Sequence, residues 1–383
     1  MRLDQPFGDY ILLQRLAVGG QSEVFLATKA GPGEYTRPVV IKCLPPEDNK
    51  DAAIDMFYRE AFISSRFVHP NVINIHDAKI IDGEHCMFMD FIAGQTVADI
   101  AQRGFKNQCP PSLKQVVQII VDACDGLNYV HDFRDLDNRL YSVVHCDVSP
   151  QNLMVTYSGV TMIFDFGIAQ IMGQPENASG GKLAYMSPEQ ISGENVDPRS
   201  DIFSLGVILY ELATGYRLFR RDTQPAVIDA ILNEAIVSTR ELKPEIAPFL
   251  DQIIMRALEK DPKARYQSVL SMRDDLRQFL GMTIEGRDLR SGLGAYVSGM
   301  FKTERDEIAD LLNQAGHRAE PVAQNKVEIR PEASMDIEIE RNDLYENEFQ
   351  ELLALKSQFR LLIIIALLLL VVCMGLGFSL WTA

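Results

Sequence analysis

A lysine, a glutamate, two aspartates and an asparagine, each inside a short motif, are the residues of this chain best suited to chemistry on a phosphate group. They occur in the order Val39-Val40-Ile41-Lys42, Glu60, His145-Cys146-Asp147 with Asn152 five residues after the aspartate, Asp165-Phe166-Gly167, and finally Ser187-Pro188-Glu189. Moving a γ-phosphoryl group needs positioning and charge neutralisation more than covalent chemistry, and this set supplies a cation, carboxylates and an amide. Ahead of it runs Leu16-Ala17-Val18-Gly19-Gly20-Gln21-Ser22-Glu23-Val24. Glycines in such a turn let backbone N–H groups approach phosphates closely. Each motif alone has a plainer explanation: a hairpin turn, a snorkelling lysine at a strand edge, a solvated helix carboxylate, an Asp-Pro-Asn turn. Their order and spacing favour a single phosphoryl-transfer site.

The elements that must position these residues change period along the chain. Tyr10 to Leu13, Glu23 to Ala27 and Arg37 to Cys43 read as strands, the last carrying the β-branched run before Lys42. Residues 51–66 contain no breaker and read as a helix carrying Glu60; His69-Pro70-Asn71 ends it. Val72 to Asp82 and Glu84 to Ile92 form a further strand pair, joined at Asp82-Gly83. After Gly94 the spacing turns helical: Val116, Ile120, Ala123, Leu127 and Val130 form one stripe, and Ile202, Leu205, Leu209 and Leu212 another. Short strands are expected near 153–156 and 160–164, and helices near 223–236, 246–259 and 267–280. The expectation is a small β-rich lobe with one helix and a larger α-rich lobe, with the site in the cleft between them.

Together the motifs resemble the signature set of the serine/threonine protein kinases, especially bacterial eukaryotic-like kinases with a single C-terminal transmembrane helix. The resemblance covers roughly residues 8–280 and implies an α+β, two-lobed kinase fold. It implies ATP and Mg²⁺ as cofactors. Leu16, Ala17, Val18, Gly19, Gly20 and Val24 would form the phosphate lid, and Val40, Met89, Asp90, Phe91, Ile92 and Met154 would line the adenine pocket, with Met89 as gatekeeper and Asp90 opening the hinge. Lys42 would hold the α- and β-phosphates and pair with Glu60. Asp147 would accept the proton of the substrate hydroxyl, and Asn152 and Asp165 would bind the metal. Glu189 would pair with Arg265, and Asp201 would anchor the catalytic loop. Residues 168–186 would form the activation segment, with Ser179 and Tyr185 as its phosphorylatable hydroxyls.

Several positions depart from the family pattern. Ala17 and Ser22 replace glycines, Cys146 replaces an arginine, Ser149 replaces the lysine expected two residues after Asp147, and Lys182 stands where a threonine is usual. The missing arginine implies weak dependence on activation-loop phosphorylation. Pro150-Gln151-Asn152 is similar to the serine/threonine branch. The implied function is a membrane-anchored kinase acting on Ser/Thr-bearing proteins in signal transduction, with self-association for autophosphorylation. The alternative is a nucleotide-binding pseudokinase acting as a membrane scaffold; a small-molecule phosphotransferase is less favoured, because Ser187-Pro188-Glu189, Asp201 and Arg265 look like a peptide platform.

The bulk numbers bound the rest. The chain has 383 residues, enough for a kinase-sized domain and an extension, and 47% hydrophobic residues support a large core. A net charge of −16 argues against nucleic acid as a partner. Six scattered cysteines without a CxxC pair fit a reducing compartment. Residues 281–358 read as an acidic juxtamembrane linker. Residues 359–382 read as a transmembrane helix: Leu361 to Trp381 contains no charge, and a helix of that length rises about 30 Å, the hydrocarbon thickness. Lys356 and Arg360 precede it and Trp381 sits at its far end, so the expected location is a single-pass membrane protein with its kinase region in the cytoplasm and no room for an external sensing domain.

Overall fold

The structure, a computed structural model, describes residues 3, 6–18, 22–29, 37–44, 51–135, 137–138, 140–141, 143–166, 180–283 and 289–318. A six-stranded antiparallel sheet forms the small lobe from β1 (Pro6–Phe7), β2 (Tyr10–Val18), β3 (Glu23–Lys29), β4 (Pro38–Cys43), β5 (Ile75–Ile81) and β6 (Glu84–Asp90), in the order β1-β2-β3-β4-β6-β5. Helix α1 (Asp51–Ser64) lies between β4 and β5 in the chain. Side chains alternate across a strand, and β4 uses both faces. Val39, Ile41 and Cys43 pack with Tyr10, Phe25 and Phe88 on one side, while Val40 and Leu44 pack with Phe57 and Ala61 of α1 on the other. Asp82 and Gly83 close the β5–β6 hairpin with φ of 51° and 85°, the paired positive values that a two-residue turn requires.

In the large lobe, β7 (Gly94–Thr96), β8 (Leu153–Thr156) and β9 (Thr161–Ile163) make a three-stranded sheet beside α2 (Val97–Lys106) and α3 (Leu113–His131). Next come α4 (Gly180–Leu183), α5 (Pro188–Ile191), α6 (Pro198–Thr214), α7 (Gln224–Leu232), α8 (Thr239–Leu242), α9 (Pro248–Ala257) and α10 (Val269–Thr283). Helix α3 starts at a Ser112/Gln115 capping box. Helix α6 starts at Asp197 with Pro198 behind it and stops at Gly215, whose φ is 79°. Every α6 residue from Ser200 to Thr214 is buried, so packing at roughly 1.5–3 kcal/mol per large apolar side chain holds it in place. The expected strands and helices thus fall close to their positions; β1, β7, α2, α4, α5 and α8 were not anticipated.

Of the linker expected over 281–358, the structure describes residues 281–283 and 289–318. Residues 289–318 do not form a loose linker but two packed helices, α11 (Leu289–Met300) and α12 (Lys302–Arg318). Leu293, Val297 and Phe301 enter the large-lobe core. Gly294 permits a close approach: a Cβ there would lie 2.7 Å from the Tyr157 carbonyl oxygen. On α12, Ile308, Leu311, Leu312 and Ala315 cover Leu13 and Leu26 of the small lobe and Phe91 of the connection between lobes. Arg103 of α2 pairs with Glu304 and stacks 4.0 Å over the Phe301 ring. Cys43 and Cys86 face each other across β4 and β6 as free thiols, Sγ to Sγ 2.9 Å. Among the described residues no helix is long and apolar enough to cross a membrane; the expected span at 359–382, and the acidic stretch before it, lie outside the described residues.

Candidate active site

The alternation of β4 sends Lys42 to the face shared by Val40 and α1. Its ammonium donates to Glu60 Oε1 at 3.1 Å and also forms an ion pair with Asp165. Burial opposes the charge on Lys42, but Asp165 and Glu60 outweigh it and hold its pKa above the ordinary lysine value. The Lys42 charge in turn holds the Asp165 carboxyl below the usual range. Burial pushes the Glu60 carboxyl up, against the pull of Lys42. One side chain therefore ties the small-lobe sheet, α1 and the segment after β9 together. Phe166, next to Asp165, is buried against Phe67 (ring centroids 5.3 Å apart) and His145 (4.6 Å).

Opposite, Asp147 and Asn152 sit on the loop between α3 and β8. Asn152 Nδ2 donates to Asp147 Oδ2 and to the Asp147 carbonyl, both at 2.8 Å. The loop hangs from α6: Asp201 accepts the His145 N–H at 2.9 Å and the Cys146 N–H at 3.0 Å, and His131 Nε2 is 2.7 Å from the same carboxylate. Burial works against the Asp201 charge, yet His131 and the loop N–H groups hold its carboxyl below the usual range. The Asp147 N–H donates to His145 Nδ1 at 3.2 Å, and the other ring nitrogen is 3.3 Å from the Phe164 carbonyl, so the imidazole carries its proton on Nε2. Cys146 is buried with φ of 62°, and burial pushes its thiol up.

The residues expected around the nucleotide divide in two. Val24, Val40, Met89, Phe91 and Ile92 share one apolar cluster with Phe57 and Phe164 on the cleft side of the sheet, and Met154 is half-buried on β8. Leu16, Ala17 and Val18 are exposed at the end of β2; Gly19 and Gly20 lie outside the described residues. Asp90 turns its carboxylate outward to Arg37 (2.6 Å) and His76 (2.9 Å), and its N–H is committed to the Asn74 carbonyl. A donor for an adenine edge must come from further along the hinge. A polar groove of about 630 Å³ between α2 and α12, lined by Arg103, Lys106 and Glu304 among others, contains none of these residues.

Asn152 and Asp165 offer an amide and a carboxylate, hard oxygen donors suited to Mg²⁺. No cluster of three His, Cys, Asp or Glu ligands occurs among the described residues. That sparse donor set fits Mg²⁺, which relies on one or two carboxylates together with substrate phosphates rather than on a protein cage.

After the undescribed stretch 167–179, which includes Gly167 and Ser179, the chain returns as α4. Lys182 Nζ lies 2.5 Å from Asp147 Oδ2. Tyr185, read from sequence as a phosphorylatable hydroxyl, is instead buried: it donates to Glu211 at 2.8 Å and accepts from Arg217 at 2.6 Å. Ser187, Pro188 and Glu189 open α5, where Arg265 grips Glu189 through two bonds of 2.7 and 2.8 Å and Ser200 adds a third. Burial raises and Arg265 more than offsets, so the Glu189 carboxyl lies below its usual pKa.

The sequence model described as "Protein kinase domain" matches residues 10–275 of this chain. The chain belongs to the protein kinase family. The kinase is 36% identical over 306 residues to "Tyrosine-protein kinase MasK" of Myxococcus xanthus, covering 79% of this chain and 47% of that one. It is 32% identical over 278 residues to "Serine/threonine-protein kinase PknB" of Mycolicibacterium smegmatis, covering 70% and 42%. The kinase thus spans about half the length, or less, of the curated relatives it matches. Among solved structures, the PknI kinase domain of Mycobacterium tuberculosis superposes with a TM-score of 0.56 at 23% identity, over 73% of this chain and 99% of that one, a likeness of fold.

Two features of the kinase escaped the sequence reading. The bond from Lys182 to Asp147 joins residues 35 positions apart, and no local pattern announces it. The α12 cover had a legible signal: 308, 311, 312 and 315 are a helical stripe, obscured by the glycines before it.

Proposed function

We propose that this kinase transfers the γ-phosphoryl group of ATP to protein hydroxyls, serine and threonine first, as a membrane-anchored signalling enzyme. The observation that carries the reading is the meeting of Lys42 with Glu60 and Asp165 on one side of the cleft and of Asp147 with Asn152 on the other. In this reading Lys42, fixed by Glu60, neutralises the α- and β-phosphates. Met89, Phe91, Ile92, Val24, Val40 and Met154 exclude water around the adenine, and Asp147, held by Asn152 and the Asp201 anchor, orients the attacking hydroxyl and accepts its proton. Mg²⁺ held by Asn152 and Asp165 would supply charge neutralisation on the phosphate oxygens.

The hydroxyl class has a second reading, because the relative from Myxococcus xanthus is named a tyrosine-protein kinase. Phosphoamino-acid analysis of labelled product separates the two. The anchor rests on the uncharged run from Leu361 to Trp381 and the basic residues before it; deleting 359–383 should release the protein from membranes. The deciding experiment is transfer of labelled phosphate from Mg-ATP to the chain itself or to casein, with Asp147→Asn as control. Transfer that falls by about three orders of magnitude or more in the variant supports the reading. Nucleotide binding without transfer by the unaltered chain supports the scaffold instead.

A further inference from the structure

The loop that carries Asp147 has no cation of its own. His145-Cys146-Asp147-Val148-Ser149-Pro150-Gln151-Asn152 contains neither lysine nor arginine. Ser149 does not compensate: it is 1% exposed, and its hydroxyl is buried with no hydrogen-bond partner among the described residues. On the small-lobe side Lys42 is already shared between Glu60 and Asp165. A transferring phosphoryl group spreads negative charge over three oxygens between the leaving diphosphate and the attacking hydroxyl. Within the described part of the Asp147 loop that charge would meet a carboxylate and an amide, so any protein cation joining the metal that Asn152 and Asp165 would hold must come from another element.

Lys182 is that cation. Its ammonium bonds the same Asp147 oxygen that Asn152 bonds, at the edge of the space an attacking hydroxyl must enter to reach its base. The backbone under it is pinned. The Lys182 carbonyl accepts the Tyr185 N–H at 3.0 Å, Leu183 is 2% exposed, and Ser204 holds the Tyr185 carbonyl at 2.7 Å. The side chain itself remains a third exposed. An ammonium has three donors, so it can keep Asp147 and still donate to a phosphoryl oxygen.

We propose that Lys182, on the activation segment, is the catalytic cation for the γ-phosphoryl group, taking over the task that Ser149 cannot perform from the Asp147 loop. The proposal rests on the kinase reading above. In the step it serves, the substrate hydroxyl oxygen bonds to the γ-phosphorus. The bond from that phosphorus to the β–γ bridging oxygen breaks, its electron pair leaves with ADP, and the hydroxyl proton passes to Asp147. Lys182 stabilises the charge on the moving group and, before the nucleotide arrives, balances Asp147. Because it sits on the activation segment, the segment must be in place for the charge to be present, which couples segment order to turnover without any phosphorylated residue.

The test uses the full chain in detergent with Lys182→Met, Lys182→Arg, and Lys182→Met combined with Ser149→Lys. Affinities for ADP and for the non-hydrolysable analogue adenylyl imidodiphosphate are measured by calorimetry with Mg²⁺, alongside transfer kinetics and melting temperature. Lys182→Met should lower kcat roughly 100-fold or more, leave ADP affinity unchanged and the protein folded at the assay temperature, and remove any preference for the triphosphate analogue over ADP. Lys182→Arg should keep part of the preference, and Ser149→Lys should restore part of kcat. Unchanged or raised transfer in Lys182→Met, as expected if Lys182 merely blocks Asp147, overturns the proposal; so does an unchanged analogue-to-ADP affinity ratio. If the unaltered chain transfers no phosphate while Lys182→Met still abolishes the preference, the kinase reading falls and Lys182 remains the γ-phosphate contact.

Discussion

Replacing Asp201 by asparagine should loosen the catalytic loop without touching any group that meets substrate. The carboxylate, fully buried, accepts from His145 N–H and lies beside His131 Nε2 through one oxygen, and accepts Cys146 N–H through the other. Asparagine can keep only one acceptor there. If its oxygen serves His131 and His145, its NH₂ faces the Cys146 N–H and two donors meet. The lost bond to a charged acceptor is worth about 1.5–3 kcal/mol, and the stranded buried donor adds about 1–3 more. The expected loss is therefore about 2.5–6 kcal/mol, roughly 4–10 °C in melting temperature for a folded unit of about 300 residues. Because the same N–H groups set the course of the loop into Asp147, transfer should fall at temperatures where the variant is still folded. Thermal melting by circular dichroism and single-turnover transfer at about 15 °C, well below the expected melting range, check both parts. The pH dependence has a definite sign. The Asp201 carboxyl is depressed in the fold, so its contribution is complete above the unfolded value of about 3.9 and is lost as pH falls through the lower folded value. Asp201→Asn should therefore flatten the acid limb of the stability curve. A variant that melts within about 2 °C of the parent and transfers at the same rate would refute the idea that this carboxylate suspends the loop.

Arg265→Met should cost about 3–5 kcal/mol, since it leaves Glu189 buried and charged without its two-bond partner; urea denaturation at neutral pH reads it. The deficit should shrink below about pH 4, where protonation relieves the stranded carboxylate. Leu311→Ser with Leu312→Ser should uncover Leu13 and Leu26, lower stability by about 2–4 kcal/mol, and speed proteolytic cutting in β2; equal melting and cutting would mean that α12 is not part of the folded unit. Among the described cysteines, only Cys109 should react with iodoacetamide in the native protein. It is exposed while Cys43, Cys86, Cys124 and Cys146 are buried, and burial raises the Cys124 and Cys146 thiols well above neutrality; mass spectrometry after digestion checks this.

Local chemistry made much of the molecule legible before any coordinates. The β-branched run before Lys42, the Asp82-Gly83 turn and the stripes of α3 and α6 each follow from a period or a turn residue that constrains its own few neighbours. Ser187, Asp197 and Gly215 also satisfy groups within one turn of a helix end, a local signal that the sequence reading did not use. Tertiary structure decided what depended on distant segments meeting. Lys182 became a partner of Asp147, Tyr185 was withdrawn into a bond with Glu211, Ser149 was left with an idle hydroxyl, and α12 was laid over the small lobe. A side chain's period names the face it belongs to, but which charge or cavity faces it depends on how the elements pack, and residues tens of positions away carry that information.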